Sequence, residues 1–261
     1  MPNQEQELIV GIEQVQIEQD TAKTVILQSV DGGSERREID LNRAGTGLME
    51  IVSKPDMRTP EQAGAYVRKL QNVLRTVGAS DGNMEQGSLR CDVNVSVNRK
   101  GESWGTRTEV KNVNSVRFIM NAVASEISRQ IKVLQEGGKV LQETRAYDET
   151  TGQTVSLRTK EQSMDYRYMP DPNLPSLDLS TERLRLLEHS LPELPDALRD
   201  RLKSAYPTLS ARDLNVLIRL DNPEEQAQTH PGSTGKSESD TYINLFEQVA
   251  VGRDHQRTIN W

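Results

Sequence analysis

The chain has 261 residues, enough for one large domain or two small ones, and carries a formal net charge of -7. Its hydrophobic content is 34% and its aromatic content only 4%, so the core must be mainly aliphatic. The acidic balance argues against a free-standing nucleic-acid-binding protein, which usually has a basic stripe, although local patches or a basic partner could still contact RNA. No stretch approaches the ~20 apolar residues that a membrane-spanning helix needs, so no membrane partner is expected.

The first part of the chain is predicted to contain strands and one amphipathic helix. The expected strands cover residues 8–18, 23–30, 39–41 and 48–52, with a turn at 31–34. Thr59 is a typical N-cap, Pro60 suits the first helical position, and Gln62 completes a capping box. Apolar residues at helical spacing continue to Val77, and Gly78 ends the predicted helix.

Two predicted strands near the middle of the chain carry charged side chains at alternating positions. Five apolar residues alternate along the first strand: Leu89, Cys91, Val93, Val95 and Val97. The opposite face of that strand carries Arg90, Asp92, Asn94 and Ser96. The second strand, over 106–112, brings together Arg107, Glu109 and Lys111. Such a face is normally solvated, but these groups are also the ones needed to hold a metal, a phosphate and a polar substrate.

The chain contains a single cysteine, Cys91, which excludes an intrachain disulfide and a zinc site built from several cysteines. Its position on the apolar face of its strand predicts a small buried hydrophobic side chain rather than a nucleophile.

The rest of the chain adds a second helix, a hairpin and a helical segment. A helix is expected over 115–136, and strands over 140–147 and 153–159 flank a turn at 149–152. After Pro175 short helical patterns take over, residues 221–240 have the composition of a disordered insert, and a helix is expected over 241–251. The expected fold class is therefore α+β, a mostly antiparallel sheet with packed helices over 1–178, followed by a small helical segment over 179–261.

Five segments of the chain together resemble one known family. They are IDLNRAGTGLMEIVSKPD (39–56), SDGNMEQGSLRCDVNVSV (80–97), TEVKNVNS (108–115), QETR (142–145) and MDYRYMPDPNLP (164–175). The family they resemble is that of the B subunits of tRNA-dependent amidotransferases, which make Gln-tRNA(Gln) or Asn-tRNA(Asn) from misacylated precursors. The resemblance implies the later part of a cradle-like catalytic domain, without the family's opening strands and its C-terminal tail domain.

The resemblance implies a carbon–nitrogen ligase that uses ATP and Mg²⁺, with glutamine as the amide donor. The implied partners are an amidase-type glutaminase (the A subunit of the complex), a small third subunit of a heterotrimer, and misacylated tRNA. The implied location is mitochondrial, or alternatively the bacterial cytoplasm. A second hypothesis is a truncated, non-catalytic scaffold that binds the glutaminase subunit, since a fragment of the family could be inactive alone.

The resemblance also implies roles for nine site residues. The expected metal ligands are Glu18, Glu50 and Glu109. The expected catalytic residues are Arg90, Asp92 and Lys111. The expected cofactor-binding residues are Arg43, Lys54 and Arg107, because positive charge near the transferring oxygens assists phosphoryl transfer. Gln19 and Gln86 stand where the family usually has a second acid, which predicts weaker metal binding.

Several residues keep a plain structural alternative. Glu50 could point to solvent from an edge strand, and Arg90 could simply pair with Asp92. Asn112 could bind substrate or cap the helix that follows, and capping is favoured for Asn114. Asp165 and Arg167 could contact substrate or brace their loop.

Two other features are set aside. The three histidines are expected on the surface of the helical and insert regions: His189, His230 and His255. The segment GSTGKS (232–237) resembles a phosphate-binding loop, but His230 stands where that motif needs glycine.

Overall fold

The computed structural model describes residues 8–20, 23–27, 36–159, 172, 174–220 and 241–260. The chain forms two compact units. The first contains the described residues up to Arg58 together with those of 172–178, and the second contains the described residues of 59–162 and 179–261. No helix in the described ranges is both long enough and apolar enough to cross a bilayer.

The first unit consists of two antiparallel strand pairs. Its strands are β1 (Ile12–Gln19), β2 (Lys23–Leu27), β3 (Arg36–Asp40) and β4 (Gly47–Ser53). β1 pairs with β4, and β2 pairs with β3. Beside the β1–β4 pair, the amide of Asp20 donates to the carbonyl of Thr46 (2.7 Å) and that of Gly45 donates to the carbonyl of Asp20 (2.9 Å). Gly45 has a φ of 78°, a conformation that glycine adopts without strain. The predicted turn at 31–34 lies outside the described residues.

The second unit is built on a four-stranded sheet in the order β5–β6–β7–β8. The strands are β5 (Cys91–Val95), β6 (Thr108–Val113), β7 (Glu143–Asp148) and β8 (Gln153–Thr159). β6 and β7 run parallel, whereas the other two pairs are antiparallel. Parallel neighbours need a crossover connection, and helix α2 (Val116–Gln135) provides it.

The two long helices begin at side-chain caps. Helix α1 (Pro60–Thr76) has the predicted capping box, in which the Thr59 hydroxyl accepts from the Gln62 amide and the Gln62 side chain accepts from the Thr59 amide. Helix α2 is capped by Ser115, whose hydroxyl accepts from the Phe118 amide (3.1 Å). The prediction that Asn114 is the cap was therefore wrong by one residue.

The core of the second unit lies between these helices and strands β5 and β6. It is mainly aliphatic, as predicted: Val67, Met84, Val95, Val110, Val113, Ile119, Ala122 and Val123. Helices α1 and α2 approach closely at Gly64, where an added Cβ would lie 2.7 Å from Sδ of Met120. Cys91 packs against this core, and burial, with the nearby charge of Asp92, raises the pKa of its thiol to about 12. The predicted packing of Cys91 on the apolar face of its strand is confirmed.

The C-terminal helices form a second, smaller core. They are α3 (Thr181–Ser190), α4 (Pro195–Ala205), α5 (Ala211–Leu220), α6 (Tyr242–Ala250) and α7 (His255–Ile259). Leu202 and Leu214 are buried there with Phe246, whose ring meets that of Tyr206 edge-on at 5.1 Å. The α+β class and the late helical segment are thus confirmed. The division into domains at residue 178 stays a prediction, and the insert at 221–240 lies outside the described residues.

A buried charged network joins α2 to strands β7 and β8. Glu126 is fully buried and accepts two hydrogen bonds from Arg129, at 2.9 and 2.6 Å. It also accepts from Thr154 (2.8 Å), whose hydroxyl in turn accepts from Arg145 Nε (3.0 Å). Arg145 donates to Glu143 Oε1 at 2.5 Å, which completes a network of two acids and two arginines.

This network is not what helical spacing predicted. In the predicted helix over 115–136, Ile119, Val123, Ile127 and Leu134 mark the expected buried face, but Leu134 is 45% exposed. Glu126 and Gln130 are buried instead, and Gln130 Nε2 donates to the carbonyl of Val95 (3.1 Å) and to Glu126 Oε1 (2.8 Å). Burial alone would raise the pKa of Glu126, but hydrogen bonds from Arg129, Gln130 and Thr154 outweigh it and hold that pKa below its ordinary value.

Glu126→Gln should lower the free energy of unfolding at pH 7 by about 3 kcal/mol, the lower end of the range for a broken buried ion pair, because Arg129 and Arg145 then share one carboxylate, Glu143. A carboxylate with a depressed pKa stabilises the fold above its unfolded-state pKa, and that contribution is lost as the pH falls through the folded-state pKa. The difference between wild type and variant should therefore shrink below about pH 4.3. Urea unfolding from pH 7 to pH 3.5 measures it. Glu136→Gln, at the exposed end of α2, is the matched control. An equal loss in both variants would contradict the network's role.

Candidate active site

A cluster of polar side chains lies on the four-stranded sheet, on the face opposite to the one that packs against α2. The ammonium group of Lys111 lies 3.0 Å from Asp92 Oδ2 and 3.5 Å from Glu109 Oε1. The hydroxyl of Thr144 donates to Glu109 Oε2 (3.3 Å). We call these four residues the Lys111 cluster. One cation is thus held between two carboxylates, and one of those carboxylates is oriented by a hydroxyl.

Strand alternation places these side chains together. Val95 and Val110 are buried on the α2 side, so the residues between the apolar positions of β5 and β6 point to the other face. Asn94 pairs in register with Glu109, which in turn pairs with Thr144 of β7. The parallel pairing of β6 with β7 therefore brings Thr144 to Glu109.

The cluster is partly shielded from solvent. The side chains are 37% exposed for Lys111, 46% for Asp92 and 16% for Glu109. Burial alone would lower the pKa of Lys111, but the hydrogen bond and charge of Asp92 and the charge of Glu109 outweigh it and raise that pKa above its ordinary value. Lys111 is therefore a permanent cation at neutral pH, suited to stabilising negative charge and unsuited to acting as a base.

The two expected arginines of this unit lie outside the cluster. Arg90 immediately precedes β5. In the cluster, Asp92 forms its ion pair with Lys111. Arg107 is exposed in the loop before β6 and does not belong to the cluster. Of the three residues predicted to lie together, Glu109 and Lys111 do so. The roles assigned to Arg90 and Arg107 stay predictions.

In the first unit, Glu18 and Glu50 lie on one face of the β1–β4 pair. Glu50 stands opposite Gln16, and Gln16 Nε2 donates to Glu18 Oε1 (3.4 Å). Both acids are half-buried, which disfavours the alternative that Glu50 simply points to solvent.

Two cations of the first unit are paired with acids. Arg43 Nε lies 3.5 Å from Asp20 Oδ2, and Lys54 Nζ lies 3.8 Å from Glu13 Oε2. Both basic side chains are about half exposed, so they remain accessible to an anionic ligand. Their assignment to cofactor binding stays a prediction.

The described acids do not form a complete metal site by themselves. Among the described residues, no group of three or more His, Cys, Asp or Glu side chains is arranged to hold a metal ion. Glu109 of the second unit has its oxygens in contact with Lys111 and Thr144. The pair Glu18 and Glu50 fits the needs of Mg²⁺ better, because Mg²⁺ keeps several waters and commonly takes one or two carboxylates with substrate phosphates.

The described surface of the second unit also has a pocket of about 330 Å³ at the N-terminus of α2. Its lining residues are Glu85, Asn114, Ser115, Arg117, Phe118 and Glu149. The pocket includes none of the nine site residues predicted from the sequence. Two other predicted features, Arg167 with Asp165 and the segment 232–237, lie outside the described residues.

Comparison of the amino-acid sequence with known families identifies the family of this chain. Residues 1–185 match the family model described as the GatB/GatE catalytic domain.

The chain belongs to the GatB/GatE catalytic-domain family.

Curated relatives agree with that assignment. The mitochondrial B subunit of glutamyl-tRNA(Gln) amidotransferase from Mycosarcoma maydis is 51% identical over 294 residues, covering 100% of this chain and 45% of the relative. The mitochondrial protein of the same description from Laccaria bicolor is 56% identical, over 83% of this chain and 40% of the relative. The B subunit of aspartyl/glutamyl-tRNA(Asn/Gln) amidotransferase from Rhizorhabdus wittichii is 55% identical, over 74% and 38%. The chain thus spans less than half the length of these relatives, and the resemblance seen in its motifs is confirmed.

Within this GatB/GatE catalytic domain, sequence reasoning missed Thr144. The segment QETR resembles the family, but nothing in the local pattern ties its threonine to Glu109, which lies 35 positions earlier. The signal is available only once β6 and β7 are known to pair in parallel. Thr144 is 2% exposed, so its hydroxyl is fixed in place.

Asp92→Asn should lower the pKa of Lys111, because the largest contribution that opposes the effect of burial disappears. The pKa of the Lys111 side chain can be followed by NMR titration of its Cε–Hε resonances in selectively labelled protein. Glu102→Gln, an exposed acid of the β5–β6 loop, is the matched control and should leave that pKa unchanged. An unchanged Lys111 pKa in Asp92→Asn would show that the ion pair is not maintained in solution.

Proposed function

We propose that this chain is the carboxylate-activating subunit of a tRNA-dependent amidotransferase that converts Glu-tRNA(Gln) to Gln-tRNA(Gln). The observation that carries the proposal is the Lys111 cluster, a fixed cation on a sheet face within the part of the chain matched to the GatB/GatE catalytic domain. The names of the relatives supply the substrate class, and some of them include aspartyl-tRNA(Asn) as well.

The proposed chemistry needs two steps. A side-chain carboxylate on tRNA does not react with ammonia, so ATP first transfers a phosphoryl group to a carboxylate oxygen and leaves as ADP. Ammonia then attacks the carbonyl carbon of the acyl phosphate, the C–O bond to phosphate breaks, and the amide and inorganic phosphate are released. Negative charge grows on oxygens in both steps, and fixed positive charge is the main means of stabilising it.

In this scheme Lys111 stabilises the developing oxyanion. Its raised pKa keeps it protonated, and Asp92 and Glu109 hold its ammonium group in one place. Thr144 orients Glu109 and so acts indirectly as a positioning residue. A preoriented cation of this kind contributes to the rate because it needs no reorganisation during the reaction.

Cofactor binding is assigned within the first unit. ATP phosphates would be contacted there by Arg43 and Lys54, since both side chains are about half exposed and arginine in particular suits bidentate contact with phosphate. Arg107 of the second unit keeps its expected role in cofactor binding, and Arg90 its expected catalytic role. Glu18 and Glu50 would hold Mg²⁺, which when bound neutralises phosphate charge. These assignments rest on the accessible basic side chains and on the shared face of the two acids.

We also propose the family's assembly for this chain. The partners would be an amidase-type glutaminase (the A subunit of the complex), which releases ammonia from glutamine, and a small third subunit of a heterotrimer. A mitochondrial location is favoured because two of the relatives are described as mitochondrial, and a bacterial cytoplasm is the alternative.

A non-catalytic scaffold is the second candidate. It is favoured by the absence of a three-acid metal cluster among the described residues and by Gln19 and Gln86 at positions where the family has acids. A scaffold would bind the glutaminase subunit without activating a carboxylate.

Lys111→Met should reduce Gln-tRNA(Gln) formation about 10²–10³-fold, the usual effect of removing one stabilising donor from a reacting oxyanion. The assay combines the full chain with its partner subunits, ATP and Glu-tRNA(Gln). Glutamine hydrolysis by the partner should be unaffected, and free ammonia should not rescue the variant, because the loss is in carboxylate activation. Lys132→Met, on the exposed surface of α2, is the matched control.

Two results would contradict this function. Equal transamidation by Lys111→Met and wild type would remove Lys111 from the chemistry. Binding of the glutaminase subunit without any product from the wild-type chain would favour the scaffold.

Glu50→Gln should raise the Mg²⁺ concentration needed for half-maximal transamidation, because an amide brings no charge to the ligand set. The assay is transamidation against Mg²⁺ concentration with free ammonia supplied, which removes ammonia delivery from the measurement. Glu136→Gln, at the exposed end of α2, is the control. Full rescue of Glu50→Gln by free ammonia at ordinary Mg²⁺ would show that Glu50 does not hold the metal.

A further inference from the structure

Strand β7 carries a buried arginine directly beside the threonine that holds Glu109. Arg145 is 9% exposed and Thr144 is 2% exposed, and alternation along the strand sends their side chains to opposite faces of the sheet. Arg145 belongs to the charged network beneath α2, whereas Thr144 belongs to the Lys111 cluster. Two neighbouring residues of one strand therefore join a buried ion network on one face to the candidate site on the other.

Every nitrogen of the Arg145 guanidinium group donates a hydrogen bond. Nε donates to the Thr154 hydroxyl (3.0 Å), Nη2 to the Thr154 carbonyl (2.6 Å) and Nη1 to Glu143 Oε1 (2.5 Å). Glu126 Oε2, on α2, lies 3.4 Å from Nε. A planar fork with this many partners is held in one orientation, which the single ammonium group of a lysine could not reproduce. Arg145 thus ties β7 to both β8 and α2.

A β-bulge in β8 makes room for this arrangement. The register of β7 and β8 shifts between Thr144 and Arg145, which leaves Leu157 as an extra residue of β8. Leu157 is 54% exposed, and Ser156 stands opposite Arg145 instead. The Ser156 hydroxyl donates to Glu143 Oε2 (2.6 Å), so the bulge brings a polar side chain to the network in place of a leucine. Bulges commonly re-aim side chains in this way beside functional sites.

Lys111 lies at a second bulge, in β6. The bulge falls between two register pairs of β5 and β6: Cys91–Val113 and Val93–Val110. Because a bulge disrupts the regular ladder, the pleat of the strand alone does not fix the direction of the lysine side chain. Asp92 and Glu109 do so instead, and Glu109 is the less exposed of the two acids, 16% against 46%. The order of Lys111 therefore depends strongly on what holds Glu109.

We infer that Arg145 is a positioning residue for the Lys111 cluster. By anchoring β7 to α2 and β8, it fixes the backbone from which Thr144 reaches Glu109, and Glu109 in turn steadies the ammonium group of Lys111. The consequence for catalysis rests on the proposed function, whereas the link between Arg145 and the order of Lys111 does not. A purely structural Arg145 would affect stability and leave Lys111 unchanged in the folded protein.

Arg145→Lys tests this inference in the full chain, because it keeps the charge and removes the planar fork. NMR relaxation at the Cε carbon of Lys111 should show motion of larger amplitude in the variant than in the wild type. In transamidation with the partner subunits, kcat should fall by up to about 100-fold with KM for Glu-tRNA(Gln) little changed, since a small misplacement of a reacting group can cost that much. Thr154→Val, which removes one hydroxyl partner of Arg145, should cause a smaller change of the same kind.

A double variant tests the route. Thr144→Val should by itself loosen Lys111, because Glu109 loses its hydroxyl partner. Adding Arg145→Lys to Thr144→Val should then increase the motion of Lys111 little further, because both changes act along one path. Fully additive effects would overturn the inference, since Arg145 would then influence Lys111 by a path that does not include Thr144.

Two controls separate positioning from general loss of stability. Arg201→Lys makes the same replacement at an arginine whose acidic partners, Glu193 and Glu247, lie in the C-terminal helical segment. Val67→Ala, on α1, removes methyl groups from the hydrophobic core of the second unit. Both should leave the motion of Lys111 unchanged at temperatures below their thermal unfolding, which melting curves establish for every variant.

Three results would overturn the inference: unchanged Lys111 motion in folded Arg145→Lys, equal loosening in Val67→Ala, and a fall in kcat without any change at Lys111. The NMR measurement involves neither tRNA nor partner subunits. Loosening of Lys111 in Arg145→Lys, in a chain whose wild type forms no Gln-tRNA(Gln), would therefore support the positioning role while contradicting the proposed function.

Discussion

The arrangement of the second unit depends on the charged network buried beneath α2. Glu126 of that helix and Arg145 of β7 lie 3.4 Å apart, and Thr154 of β8 bonds to both. Arg145 faces α2, whereas its neighbour Thr144 faces the opposite side of the sheet and donates to Glu109. One strand therefore connects the helix, through a buried ion pair, to the Lys111 cluster.

The network also explains how β7 finds its register. β6 and β7 are parallel, and Val110 stands opposite Arg145. A slip of one residue would turn Arg145 toward the Lys111 cluster and move Thr144 beneath α2. Such a slip would take Arg145 away from Glu126 and leave this buried carboxylate with Arg129 as its one arginine neighbour among the described residues, which is more costly than a misplaced apolar contact. Charged residues thus specify the pairing more strictly than an aliphatic core could.

Sequence patterns predicted the local structure well because the relevant signals are short-range. The capping box at Thr59 appears where it was expected, and the alternation predicted from Leu89 to Val97 is found in the shorter strand β5, Cys91–Val95. The network was not predicted, because Glu and Arg are residue types that normally lie on the solvated surface. Glu126 and Arg145 are buried only because α2 packs across the sheet in the folded chain. The Asn114 cap was wrong because Ser115 satisfies the same amides from the next position. The grouping of Arg107 with Glu109 and Lys111 came from treating a loop residue as part of a strand.

The Lys111 cluster consists of ion pairs, which could serve either to stabilise the fold or to carry out chemistry. Ion pairs with this degree of exposure contribute about 0–1 kcal/mol, and a second carboxylate beside the first adds repulsion between like charges. Lys111 is held between two acids, and the buried hydroxyl of Thr144 fixes one of them. So small a contribution to stability does not account for this degree of order in the lysine side chain. That order is what a reaction through charged oxygens needs, because a cation already in place costs nothing to orient when the charge develops. The order of the cluster therefore supports the proposed role of Lys111 in chemistry, and the network beneath α2 fixes the strand that carries Thr144.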